Sequence, residues 1–406
     1  MVLSLASAGL ASAGLAALGA AALLQAPDSP APSVLLEAVD GGVRRVPLAD
    51  LGGLDLARDP AALLRFEGLA PPGPTPDEPG RGLFGLVDGG RLHARVAGGR
   101  DEVLRLVLGG DRPVELDVEE LSSAVFAGRV PAAWAGTLAP ASEGDVLYRR
   151  RGEGLDPVHG TLVAFEAGGV RFEGDALGER TYPWDEVAAF FVEALEPARR
   201  PNSAAARIVV DLFDGSRLRG PLEQLSADGC RMRTAAGRPL RLGLETISEI
   251  LIESDRLRFL SDLPPAEALA ASPFGDDVGM RWPHRVDASV GGGPLRAGGR
   301  TYTRGIGVHS PSVLTWALDG EWSALRGAVA VDDEVLRLAA RGSVRFVLET
   351  DGEVRWRSDV MRGGEPPVVL PPLSLEGART LTLGVEMADE LHVADRADWL
   401  RMILVR

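Results

Sequence analysis

From residue 34 onward, apolar side chains alternate with polar ones in short runs, each closed by Gly, Pro or Asp-Gly. The clearest run begins at Ile208, Val210 and Leu212, which share one face of a strand. Asp214-Gly215 then turns the chain. Leu218, Leu222, Cys230, Met232, Leu240, Leu242 and Leu244 continue the pattern until "ISEILIE" ends it. A period of two with Asp-Gly between the runs predicts antiparallel hairpins. About five short strands in roughly 50 residues match a small, strongly bent antiparallel barrel of the SH3 or Sm type.

The pattern recurs. "GTLVAFEAGGVRFE" (160–173) aligns without gaps on "GPLEQLSADGCRMR" (220–233), an offset of 60. In the same register Val187, Phe190 and Val192 fall on Ile247, Ile250 and Ile252. At an offset of 126, Asp88-Gly89 falls on Asp214-Gly215, Leu92 on Leu218, Pro113 on Pro239, and Phe126 on Ile252. "VLLEAVDGGVRRVPLADLGGL" (34–54) reads as a shortened first copy. The expected units are a partial repeat at 33–69 and full repeats at 81–130, 144–195 and 206–254. Side by side, such units leave exposed edges. Either each closes on itself or neighbours pair along their edges. The apolar closing segments, such as "EVAAFFVEAL" (186–195), also fit short helices by spacing.

Pro/Gly-rich stretches at 70–82, 196–205 and 261–277 punctuate the chain. Beyond the last of them alternation resumes. Leu314, Trp316 and Leu318 share a face, as do Val344, Phe346 and Leu348; Val354 and Trp356 continue the latter after Asp351-Gly352. Leu381, Leu383, Val385 and Met387 alternate, and "WLRMILVR" ends the chain. Turns every 8–12 residues over this length predict a β-sandwich. The expected fold class is all-β: an array of SH3/Sm-like β-barrel repeats followed by a sandwich over 256–406.

Composition narrows the function. A chain of 406 residues with net charge −15 is large enough for several domains and has the wrong sign for a nucleic-acid groove. Every basic residue is arginine, which removes lysine-based catalysis. The single cysteine, Cys230, permits neither an intramolecular disulfide nor a cysteine metal cluster. Residues 1–24 carry no charge and precede the proline-rich "QAPDSPAPS". Residues 1–26 therefore read as a secretory signal, hence export to the periplasm or cell surface, with an uncleaved membrane anchor as the competing reading.

Four motifs in order, "YTRGIGVHSPS" (302–312), "VAVDDEV" (329–335), "VMRGGEPP" (360–367) and "DRADWLRMILV" (395–405), resemble the NPCBM family of carbohydrate-binding modules. The resemblance covers roughly 256–406. It implies a jelly-roll sandwich of the galactose-binding type and a glycan ligand. The repeats resemble no particular family.

The candidate ligand residues are His309, Arg304, Tyr302, Trp282, Glu334 and Arg362. His309 ends a glycine-spaced strand before Ser310-Pro311, where an imidazole can meet sugar hydroxyls or simply pin the following loop. Gly305 and Gly307 are expected to admit another backbone or a ligand. Trp282, in "MRWPHR", is the aromatic expected to be most exposed. Trp316, Trp356 and Trp399 are expected in the core. Alternation would send Asp332 and Glu334 to one face and Asp333 to the other. If buried, the cluster of Asp332, Asp333 and Glu334, with Asp395 and Asp398 contributing further oxygens, needs arginine partners, Arg304 or Arg396, or a metal such as Ca2+. No other cofactor is implied. The glycine-rich 290–299 lacks phosphate-loop spacing.

No H-E-x-x-H, G-x-S-x-G or cysteine nucleophile signature appears. The expected function is an exported, non-enzymatic glycan-binding protein that takes a sugar terminus rather than crystalline polysaccharide, because aromatics are only 5% of residues. Two alternatives stay open: a protein-interaction or structural envelope scaffold built on the repeats, and an accessory or cryptic glycoside hydrolase.

Overall fold

The computed structural model describes residues 32–56, 61–69, 80–109, 112–134, 136–176, 178–193, 206–270, 281–389 and 392–406. The signal or anchor segment expected at 1–26 lies outside the described residues.

The first half is built from strands in four sets. The shortest holds β1 (Ser33–Ala38), β2 (Val43–Pro47) and β3 (Ala61–Glu67). The second holds β4 (Arg81–Leu86), β5 (Arg91–Arg100), β6 (Val103–Leu108), β7 (Arg112–Asp117) and β8 (Leu121–Val125). The third holds β9 (Asp145–Arg151), β10 (Gly154–Phe165), β11 (Gly169–Gly174), β12 (Gly178–Pro183) and β13 (Val187–Phe191). The fourth holds β14 (Arg207–Leu212), β15 (Arg217–Ser226), β16 (Gly229–Arg233), β17 (Pro239–Leu242) and β18 (Ile247–Ile252).

In each full set the first four strands form a meander, and the fifth returns to pair with the first. The second strand is long and carries a bulge at one equivalent place in all three: Val96/Gly98, Leu162/Ala164 and Leu222/Gln224. A bulge bends its strand and raises its twist. The repeated sequence thus encodes a repeated corner.

No set closes into a barrel among the described residues; of the two expected arrangements, neighbours pair along their edges. The fifth strands pair with the first strand of their own set and with a neighbouring set, and among the described residues no residue pairing joins them to the fourth. The closing segments are strands rather than helices, and each uses its second edge on a neighbour. β13 pairs with β8, setting Phe190 opposite Ala124. β18 pairs with β3, setting Ile250 opposite Leu64. The second and third sets therefore share one sheet, and the fourth shares one with the partial first set. A single pairing, Arg217 opposite Arg91, links β15 to β5 and completes an 18-stranded network. One apolar core runs through all four sets, from Val34 and Leu64 through Phe84, Phe165 and Phe190 to Ile250. Neighbour pairing wins over closure because it satisfies the edge groups of two units at once.

The second half is a sandwich. Its strands are β19 (Leu257–Phe259), β20 (Glu267–Ala270), β21 (Arg285–Val286), β22 (Leu295–Ala297), β23 (Arg300–Tyr302), β24 (Gly305–His309), β25 (Ser312–Ala317) and β26 (Ala324–Val331). They continue with β27 (Ser343–Thr350), β28 (Glu353–Arg357), β29 (Met361–Arg362), β30 (Val368–Val369), β31 (Leu373–Ser374), β32 (Thr380–Met387) and β33 (Arg396–Val405). A seven-stranded antiparallel sheet runs β21-β24-β33-β26-β30, with β19 on β33 and β31 on β26. A six-stranded sheet runs β20-β25-β32-β27-β28, with β29 on β27. Between them lie Ile306, Val308, Val329, Val331 and Trp399 from one side and Leu314, Trp316, Phe346, Leu383 and Val385 from the other. Trp399 is fully buried and meets Phe346 edge to face, with centroids 5.0 Å apart. Trp316 is buried and donates from Nε1 to the Leu263 carbonyl, 2.9 Å away. Trp356 packs on the core while partly exposed.

Residues Pro32–Arg406 form one compact unit. A second apolar seam joins Val39, Leu63, Val209 and Leu251 to Leu257, Phe259, Ile403 and Val405. Beside it Arg401 bonds Glu249 at 2.6 Å and Glu37 at 3.4 Å.

Candidate functional site

Alternation along β24 sends Ile306 and Val308 into the core, so Gly305, Gly307 and His309 face outward. On the adjacent β33 the same rule turns Arg396 and Asp398 outward, opposite His309 and Gly307. The outer end of this strand pair carries the candidate site.

The segment after β21 crosses directly over β24. A Cβ on Gly307 would lie 2.4 Å from the Ala288 carbonyl oxygen and 2.6 Å from the Val290 nitrogen. Gly307 therefore exists for a close backbone approach. The segment it admits brings Ser289, whose hydroxyl donates to Glu334 at 3.2 Å. The Trp282 ring, just before β21, stacks on His309 with centroids 5.3 Å apart and planes 12° from parallel. His392 meets the imidazole edge to face at 6.1 Å. The Arg396 guanidinium lies 5.6 Å from the Trp282 ring and bonds Glu334 at 3.0 Å.

His309 is buried, and its Nδ1 lies 2.8 Å from the Ser310 carbonyl. A carbonyl only accepts, so Nδ1 carries the proton and Nε2 is left as an acceptor in the neutral ring. Burial pushes the imidazole pKa below its ordinary 6.5; the Ser310 carbonyl opposes this, while His392 and Arg396 add to it. The site thus offers a half-exposed indole, a neutral imidazole and a carboxylate–guanidinium pair.

The other expected residues go elsewhere. Arg304 is fully buried away from this face: it bonds Asp211 and Asp262, each at 2.6 Å, and stacks on Phe259. Its charge serves the junction with the repeats, not a ligand. Tyr302 packs beside Leu295, Ala297, Ala330 and Leu400. Arg362 is exposed on the six-stranded sheet and pairs with Asp389.

The acidic cluster also divides. Strand alternation stops at Val331, because Asp332 caps a 3-10 turn over Asp333–Arg337 and accepts from the Glu334 N–H at 2.7 Å. Its other oxygen accepts from the Arg296 N–H at 3.0 Å. Asp333 accepts from the Gly298 and Gly299 N–H groups. Asp395 accepts from the Ser343 N–H at 2.8 Å and from the Ser310 hydroxyl. Of the two expected arginines, Arg396 pairs with Glu334 of the cluster, whereas Arg304 is taken by Asp211 and Asp262. Asp398 is fully buried and no N–H donates to it; its neighbour is the Asp332 carboxyl. Burial, then the Asp332 charge, raises the Asp398 pKa well above its ordinary 3.8. One proton held between the two carboxyls satisfies both. Among the described residues no three acidic, imidazole or thiol groups converge as a metal requires.

Sequence reasoning did not pick out Ser289 or His392 and saw Arg396 only as a counter-ion. His392 had a signal, being one of five histidines and close to the "DRADW" motif. Ser289 had none, because only the crossing over Gly307 brings it in.

Comparison with known proteins places this half of the chain. Residues 257–405 match the NPCBM/NEW2 domain family, as the ordered motifs had implied. Alpha-1,3-galactosidase B of Akkermansia muciniphila is 34% identical over 119 residues, which is 29% of this chain and 14% of that protein. The chain thus spans only a small part of that relative's length. Among solved structures, CBM51 from Clostridium perfringens GH95 in complex with methyl-galactose shares 23% identity, covering 37% of this chain and 99% of its own, with a TM-score of 0.32. CBM51-2 in complex with GlcNAc and INT domains from Clostridium perfringens ZmpB shares 20% identity over 49% of this chain and 43% of its own, with a TM-score of 0.33. The family match, residues 257–405, covers the sandwich and not the repeats.

Proposed function

We propose that the protein binds the terminal sugar of a glycan at Trp282, His309, His392, Arg396 and Glu334. One observation carries the reading: the Trp282–His309 stack stands beside the Arg396–Glu334 pair. A pyranose has an apolar C–H face and a ring of hydroxyls. An aromatic face takes the first, and a few placed polar groups take the second. The Nε2 lone pair of His309 accepts a hydroxyl proton, and the ion pair both donates and accepts. One half-exposed indole suits a single sugar unit better than a long crystalline surface.

In this reading the protein is exported by its uncharged apolar N-terminal segment and does no chemistry. The array holds the sandwich. The decisive experiment is a glycan array on the full chain, followed by calorimetry with methyl galactoside and N-acetylglucosamine as first probes. Trp282→Ala and His309→Ala are expected to weaken binding at least tenfold while the circular dichroism spectrum holds. Failure of every glycan to bind overturns the reading, as does binding that both variants leave intact. Turnover of aryl glycosides abolished by Glu334→Gln would instead make the site hydrolytic. Mass analysis of the protein recovered outside an expressing bacterium tests export; retention of the full-length chain inside argues against it.

A further inference from the structure

The sugar face and the repeat array are joined by an ionic cluster at the opposite end of β24. Asp287 opens the segment that crosses Gly307. Its side chain is wholly buried, and its backbone is left-handed at φ 53°. One carboxylate oxygen accepts from the Gly305 N–H at 3.0 Å. The other accepts from two arginines of the array, Arg217 at 3.0 Å and Arg91 at 3.1 Å. Arg217 also bonds Asp211 at 2.6 Å, and Asp211 bonds Arg304, the residue preceding β24, at 2.6 Å. Arg217 and Arg91 are themselves the one residue pair that joins β15 to β5, so the cluster sits where the two array sheets meet.

Charges this deep are tolerable only when paired. Without the array, Asp287 loses both the arginines that bond it, and Arg304 loses Asp211. The same two residues stand at the start of the two segments that lead to the sugar face. Asp287 starts the segment that carries Ser289 to Glu334, and Arg304 starts the strand that ends in His309.

We propose that Arg91 and Arg217 of the array are positioning residues for the sugar site. By clamping Asp287 they hold the 287–293 segment across β24, which keeps Ser289, Glu334 and Arg396 in register with Trp282 and His309. The sandwich is then not a separable module, and occupancy of the site is coupled to the array. Coupling of this kind is reciprocal: what tightens one side tightens the other.

The inference rests on the sugar-binding reading for its consequence, but not for its test. Hydrogen exchange on the full chain compares wild type with Arg91→Gln and Arg217→Gln, with and without methyl galactoside. Both variants are expected to speed exchange of amides 285–293 at least tenfold while strands β9 to β13 keep their protection. Arg91→Lys, which keeps a cation beside Asp287, is expected to restore most of that protection. Methyl galactoside affinity is expected to fall about tenfold in the glutamine variants and to recover in Arg91→Lys. If Arg217→Gln unfolds the chain, Arg91→Gln decides, because Arg91 is the more exposed of the two. Unchanged exchange at 285–293 in a folded Arg91→Gln protein overturns the proposal. Fast exchange in the variants with no sugar bound even by wild type supports the clamp and counts against the sugar reading instead. Fast exchange with unchanged sugar affinity breaks the link between clamp and site, and so overturns the proposal too.

Discussion

Replacing Arg304 with Met tests how strongly the two halves are held together. The guanidinium is fully buried and makes two 2.6 Å ion pairs, to Asp211 and Asp262. Burial disfavours its charge, but Asp211, Asp262 and Asp287 outweigh that and raise its pKa. Met keeps most of the volume and the contact with Phe259. The substitution removes one partner of a buried network, which costs about 3–5 kcal/mol because the remaining charges stay buried. Arg217 still reaches Asp211 and Asp262, at 2.6 and 3.3 Å, so the lower end applies. Unfolding entropy of about 2.1 cal/mol/K per residue, taken over a unit the size of Pro32–Arg406, makes 3 kcal/mol roughly 4 °C in Tm.

Calorimetry of the full chain measures that shift, and its pH dependence gives a second reading. Burial raises the Asp211 pKa, but Arg304 and Arg217 override it and hold the carboxyl below its ordinary 3.8. A lowered carboxylate pKa stabilises the fold above 3.8, and the contribution is lost as pH falls through the folded value. The wild type is therefore expected to lose more stability below about pH 4 than Arg304→Met does. A Tm drop under about 1 °C, with equal acid sensitivity in both proteins, would falsify the claim that this cluster joins the halves.

Asp398→Asn is expected to stabilise the protein at neutral pH by about 1 kcal/mol. An amide replaces a carboxyl whose ionisation is opposed by burial, and it can donate to Asp332. Because a raised carboxyl pKa means stability lost as pH rises, the gain should grow toward alkaline pH; urea melts at pH 5 and 9 check the direction. Gly307→Ala should cost about 1–3 kcal/mol, since its methyl would sit 2.4 Å from the Ala288 carbonyl oxygen, and chemical denaturation giving less than 0.5 would contradict the close crossing. Sugar binding should weaken only as pH falls through the His309 value in the folded protein, which lies below the ordinary 6.5: protonation there costs stability and removes the Nε2 acceptor. Titration calorimetry from pH 7.5 down to the lowest pH at which the fold survives measures this, and a flat profile over that whole range excludes the imidazole as a ligand group.

The amino-acid sequence alone determined the local elements. A period of two with Asp-Gly turns depends only on near neighbours, so strands such as Arg207–Leu212 and Thr380–Met387 were legible without any fold. The repeat offsets also located the equivalent corners, because the bulges at Val96, Leu162 and Leu222 fall on one aligned position. Four ordered motifs were enough to place residues 257–405. Partner choice was not legible. Whether β8 closes its own unit or pairs with β13 depends on which edges meet across many residues, and the period of two is the same either way. Nor was the destination of charge. Arg304 and Asp332 stand in family motifs, yet Arg304 faces the repeats because Asp211 waits there, and Asp332 caps a turn because the strand ends at Val331. The glycines of β24 signalled that something crosses the strand; only the tertiary structure showed that it is the backbone of 288–290 over Gly307, bringing Ser289 to Glu334 beside the stacked Trp282 and His309. Side-chain direction is local, but what it meets is set by distant chain, and that is where the candidate site was decided.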